Sequence, residues 1–71
     1  MKAPEHFSNV LLREIVDEYV QGEKDRRIMI RKYADRRTLE QIAEEEQLSV
    51  SQVKRIIKKH YYTVFGLIDK K

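Results

Sequence analysis

From residue 9 onward the apolar side chains return every three or four positions. Leu11, Leu12, Ile15, Val16 and Tyr19 form one such series, and Ile28, Met29 or Ile30, and Tyr33 form a second. Leu39, Ile42 and Ala43 make a short third, and Val50, Val53, Ile56, Ile57, His60, Tyr61 and Val64 make the longest. A three-four rhythm is the mark of a helix with one buried face, whereas strands alternate. The breaks between the series predict four helices, over about 9–21, 24–34, 39–46 and 50–64. Together they predict an all-α, four-helix helix-turn-helix domain occupying residues 1–71, with flexible ends at 1–8 and 66–71.

The residues at the breaks carry their own signals. Ser8 or Asn9 is suited to cap the first helix, and Phe7 to pack back as a hydrophobic staple. Gly22 stands where a left-handed C-terminal cap is expected, and "ADRR" makes the turn after the second helix. Two capping boxes then follow, Thr38-Leu39-Glu40-Gln41 and Ser49-Val50-Ser51-Gln52. In each, the hydroxyl accepts an orphan backbone N–H while the amide three residues on reaches back, at about 1 kcal/mol per cap. Only two turns of helix and the link "QLS" fit between them, so residues 38–60 form the helix-turn-helix unit.

The two halves of that unit carry opposite charge. "TLEQIAEEE" holds four carboxylates and no base, and "SVSQVKRIIKK" holds four cations and no acid. No acid stands anywhere from residue 47 to residue 68. The flank of helix 50–64 therefore lacks opposite-sign partners at i,i+4. Two readings are open: a solvated helix face, or a surface for a polyanion. The order of residues favours the second, because small and amide side chains come first and cations follow one turn later. Ser51, Gln52 and Arg55 are the candidates for contacts to DNA bases, where Gln pairs with adenine and Arg with guanine. Lys54, Lys58 and Lys59, with Arg36 and Arg37 from the turn, are the candidates for contacts to DNA phosphates. Glu40, Glu44 and Glu45 project away from Leu39, Ile42 and Ala43. They can solvate the surface, pair with cations such as Arg36 and Arg37, or form an acidic lip for a protein partner.

Composition narrows the classes. A chain of 71 residues without cysteine has room for one domain and no thiolate chemistry. His6 and His60 are too far apart for a recognised metal-ligand pair, and no cofactor motif is present. No apolar run nears the ~18 residues of a membrane span, and the amino terminus lacks a secretory core. A cytoplasmic location and no membrane partner are expected. The net charge of +3 with 38% charged residues makes the distribution of charge more informative than its sum. An enzyme is not expected: there is no Cys nucleophile, Ser-His-Asp set or Gly-rich loop. His60 falls on an apolar face and reads as a packed histidine. The tail "YYTVFGLI" is expected either to fold back onto the first helix or to mediate a homodimer, for which helix 9–21 is the other candidate surface.

The segments "DRRIMIRKY", "TLEQIAEE" and "LSVSQVKRII" resemble the DNA-binding fourth region of bacterial RNA polymerase sigma factors and related response-regulator helix-turn-helix domains. Tyr33 matches the Tyr that ends the family's second helix, Ile42-Ala43 its Ile-Ala, and Ser49 and Val53-Lys54 its last cap and final helix. The resemblance covers about half the chain. It implies double-stranded DNA as partner, with contact to RNA polymerase. Three positions depart from the family: Gln47 and Arg36 stand where glycine is usual, and Glu46 where an apolar residue is usual. The region that opens promoter DNA has no counterpart here. The expectation is therefore a small stand-alone transcription regulator of the kind a phage or mobile element carries. The alternatives are a protein-interaction module that binds polymerase or another regulator, and a DNA-packaging or recombination accessory protein.

Overall fold

The Ser8 hydroxyl accepts the Leu11 N–H at 3.3 Å and so satisfies one of the orphan donors that open the first helix. The structure, a computed structural model, describes residues 7–70, with the backbone alone at Lys70. Within that span it contains α1 (Asn9–Tyr19), α2 (Glu23–Tyr33), α3 (Leu39–Glu46) and α4 (Val50–Lys70), and no strand. The fold is all-α, and α3, its three-residue link Gln47–Ser49 and α4 form the helix-turn-helix. Helix α4 is the common support: α1, α2 and α3 all pack on it, α1 also on α2, and α2 on α3.

The buried faces follow the helical rhythm. Leu12, Ile15 and Val16 of α1 meet Ile28 and Met29 of α2, Ile42 and Ala43 of α3, and Val53, Ile57, Tyr61 and Val64 of α4 in one core. One member of the expected set moves. Tyr19 is 48% exposed, and Val20 is fully buried in its stead. The reason is that α1 stops at Tyr19 rather than running to residue 21, and the extended backbone at Val20 (φ −95°, ψ 118°) turns that side chain inward. Gly22 has the positive φ expected, 92°, but its ψ of 129° lies outside the left-handed helical region and it precedes α2 instead of closing α1.

The larger difference lies at the carboxyl end. The rhythm predicts that the last helix ends near residue 64, and α4 continues to Lys70. Gly66 stands just past that boundary, and a glycine inside a helix costs roughly 1 kcal/mol relative to alanine. Val64, Phe65 and Ile68 outweigh that cost, because all three are buried at the spacing of a continuing helix. The Phe65 ring centre lies 5.5 Å from Phe7, 4.7 Å from Tyr33 and 5.0 Å from Tyr61. The tail thus continues α4 and buries its apolar side in the common core. The expected flexible ends shrink accordingly: residues 66–70 are helical, Phe7 packs and Ser8 caps, while residues 1–6 and 71 lie outside the described residues.

Both capping boxes form. The Gln41 N–H reaches the Thr38 hydroxyl at 3.1 Å and the Thr38 N–H the Gln41 side-chain oxygen at 2.9 Å. Ser49 and Gln52 repeat these bonds at 3.1 and 2.9 Å. Helix α3 ends in a Schellman motif, with the Leu48 N–H on the Ala43 carbonyl at 2.8 Å and Gln47 left-handed at φ 57°, ψ 45°. Arg36 also has φ 57°. At both positions an L side chain meets its own backbone, a cost of roughly 1–2 kcal/mol that glycine avoids. Two substitutions in opposite senses are therefore expected to stabilise. Gln47→Gly should relieve the strained turn, and Gly66→Ala should suit a helical position where an added Cβ meets nothing within 4 Å. Each is expected to raise the unfolding free energy by about 0.5–1 kcal/mol, read from the urea midpoint at constant m-value.

Candidate nucleic-acid interface

Helix α4 divides along its length. Val53, Ile57, Tyr61 and Val64 are buried, while Ser51, Gln52, Lys54, Arg55, Lys58, Lys59 and Tyr62 are exposed. The exposed side chains share one arc of the helix, as 100° per residue requires. Tyr61 packs and Tyr62 is 70% exposed.

The cations of this arc differ from those elsewhere. Among the described residues, no carboxylate is within ion-pairing distance of Lys54, Arg55, Lys58 or Lys59. Arg13, Arg27 and Arg37 each have one and Arg31 has two. Two acids at the end of α3 are engaged on α2 and its turn instead. Glu46 accepts Arg27 through both oxygens, at 3.0 and 2.8 Å, and Arg31 at 2.8 Å. Glu45 takes Arg37 at 3.0 Å and Arg31 at 3.7 Å. This arrangement explains how a carboxylate occupies a position where apolar side chains are usual. The Glu46 side chain is only 6% exposed but fully engaged, and Leu48 packs against the core beside it.

Hydrogen bonding from Arg27 holds the Glu46 carboxyl below its ordinary value, against the opposing effect of burial, with the Arg27 and Arg31 charges adding to the depression. A depressed carboxylate contributes stability above its unfolded-state value and loses it as pH falls through its folded-state value. Glu46→Gln is therefore expected to destabilise the protein more at pH 7 than at pH 3. Urea midpoints at the two pH values check this; an equal loss at both would show the ion pairs to be inert.

The expected contact residues do not all stand free. Gln52 is exposed, but its side-chain oxygen accepts the Ser49 N–H. Two-point pairing with adenine needs that oxygen as well as the amide nitrogen, so such a contact would have to give up half of the capping box. Arg37 shares its charge with Glu45. Ser51, Arg55, Lys54, Lys58, Lys59 and the left-handed Arg36 are exposed and outside any such bond among the described residues. His60 is packed: it is 9% exposed, and its Nε2 lies 2.8 Å from Asp25 Oδ2, which ties α4 to α2.

One residue near this surface escapes a reading of the sequence. Lys32 of α2 borders, with Lys54 and Lys58, a cleft of about 350 Å³ whose other walls are Tyr33, Leu39 and Ile57. Lys32 is more than twenty positions from Lys54 in sequence, and no local pattern links them. Burial, then the neighbouring Tyr61, pushes the Tyr33 phenol up to about 12, so it brings no negative charge to the cleft at neutral pH. Among the described residues, no cluster of His, Cys, Asp and Glu is placed to hold a metal, and no helix is long and apolar enough to cross a membrane. No family model, curated protein or solved structure matches the chain.

Proposed function

We propose that the protein is a small DNA-binding transcription regulator in which α4 lies in the major groove, as in other helix-turn-helix proteins. The observation that carries this reading is the set Lys54, Arg55, Lys58 and Lys59, exposed on one helix face without a carboxylate partner, in a molecule that pairs other arginines internally. Ser51 and Arg55 are the residues proposed to meet base edges, with Gln52 reaching them through its free amide nitrogen. Lys54, Lys58, Lys59 and Arg36 are proposed to meet phosphates, joined by Arg37 where a phosphate displaces Glu45. The likeness to the sigma-factor fourth region supports the same reading, and Gln47 and Arg36, where glycine is usual in that family, both have a positive φ, which suits glycine.

A single module of this kind covers only about 600–1,000 Å², so useful specificity calls for a second copy or a partner such as RNA polymerase. The apolar side of the tail is used inside the fold, since Tyr61, Val64, Phe65 and Ile68 are all buried. The outward face of α1, where Val10 is exposed, is the remaining candidate for self-association.

The test is the salt dependence of binding to duplex DNA. Five to seven phosphate contacts give a log–log slope of roughly −4 to −6. A slope near zero would exclude this mechanism and leave a module that acts through protein contacts alone.

A further inference from the structure

The cleft between α2, α3 and α4 combines two features that DNA contact alone does not use. Its lining is mostly apolar, with Tyr33, Leu39 and Ile57, and it includes three lysines, Lys32, Lys54 and Lys58. None of the three has a carboxylate partner among the described residues, and the nearby Glu45 and Glu46 are held by Arg27, Arg31 and Arg37. A volume of about 350 Å³ falls at the small end of the range for ligand pockets, roughly 300–1,000 Å³. A phosphodiester would satisfy the lysines but has no apolar body to cover the apolar lining. A neutral apolar molecule would cover the apolar lining and leave the charges of the three lysines without a counterion.

We propose that this cleft binds a small amphiphilic anion, a carboxylate head on an alkyl chain or a single aromatic ring. The head lies among Lys32, Lys54 and Lys58, and the body lies on Tyr33, Leu39 and Ile57. Charge-assisted hydrogen bonds strengthen as the ligand's apolar part excludes water from around them. This site does not depend on DNA binding, although it shares Lys54 and Lys58 with the proposed DNA face.

The test is a titration of the full chain, without DNA and at constant ionic strength, followed by the NMR signals of the Leu39 and Ile57 methyls and the Tyr33 ring. Sodium octanoate, 1-octanol and sodium acetate are compared as probes. Octanoate is expected to give a saturable one-site response at these residues. Octanol, which lacks the charge, and acetate, which lacks the body, are each expected to bind at least about tenfold more weakly, since one charge-assisted bond, or the burial of about two methylenes, exceeds a factor of ten. The double variant Lys32→Gln, Lys58→Gln should weaken octanoate by about the same factor while its melting temperature stays put. Equal binding of octanol and octanoate by the unaltered chain would overturn the proposal. So would a non-saturating response scattered over the surface, or full octanoate affinity in a folded double variant. A DNA-binding failure in the salt experiment leaves these outcomes unchanged, so the two readings fail separately.

Discussion

Phe65→Ala is expected to cost about 3–5 kcal/mol of stability, as for other buried Phe-to-Ala changes. Phe65 is 3% exposed and sits at the junction of three aromatic rings, from Phe7, Tyr33 and Tyr61, which belong to the segment before α1, to α2 and to α4 itself. Removing it leaves a void bordered by side chains from three parts of the chain, none of which can fill it without moving its own backbone. A domain of this size has a total stability of only about 4–10 kcal/mol, so the variant should melt at least about 12 °C lower or fail to fold. Phe65→Leu keeps most of the volume and should lose much less. Thermal and urea unfolding followed by circular dichroism decide the matter. A loss below about 1 kcal/mol for the alanine variant would mean that the tail does not close the core.

Lys54→Glu combined with Arg55→Glu is expected to weaken duplex binding by at least a hundredfold, through lost contacts and new repulsion from the phosphates. The magnitude of the salt slope should fall by about 0.9, for the one phosphate contact removed at Lys54. Folding should be unaffected within about 0.5 kcal/mol, because both side chains are exposed and bonded to nothing. Acidic residues near the start of a helix even suit its dipole. Fluorescence anisotropy across a range of salt, with the melting temperature as control, separates the two effects. A double variant that binds DNA as well as the parent would sink the groove reading. Retained binding to RNA polymerase by a variant that ignores DNA would favour the interaction module.

The parts of this fold that a reader of the sequence can see are those set by neighbours along the chain. The two capping boxes depend on residues three apart, and Thr38-Gln41 and Ser49-Gln52 form as read. The apolar rhythm gives the existence and order of all four helices. It errs where a long-range term overrides a local one. Gly66 argues locally for a stop, yet burial of Phe65 and Ile68 against other elements carries the helix past it. Tyr19 continues the rhythm of α1, but the chain turns there and Val20 takes the inner position. The candidate surface divides in the same way. The cationic face of α4 is legible because one helix carries it. The pairing of Glu46 with Arg27 joins residues nineteen apart, and the grouping of Lys32 with Lys54 and Lys58 joins α2 to α4; both exist only once the helices are packed.

The unbroken length of α4 has a mechanical consequence. Twenty-one residues make a rod of about 31 Å at 1.5 Å per residue, close to the 33 Å of the longest molecular dimension. Its front end bears Ser51 and Arg55, and its rear end is pinned by Phe65 and Ile68. Val53, Ile57, Tyr61 and Val64 are buried between those ends, so the rod is held along its whole length and shifts only together with the core. On the groove reading proposed above, the placing of Ser51 and Arg55 would thus answer to repacking anywhere along the core, the distant Phe65 cluster included.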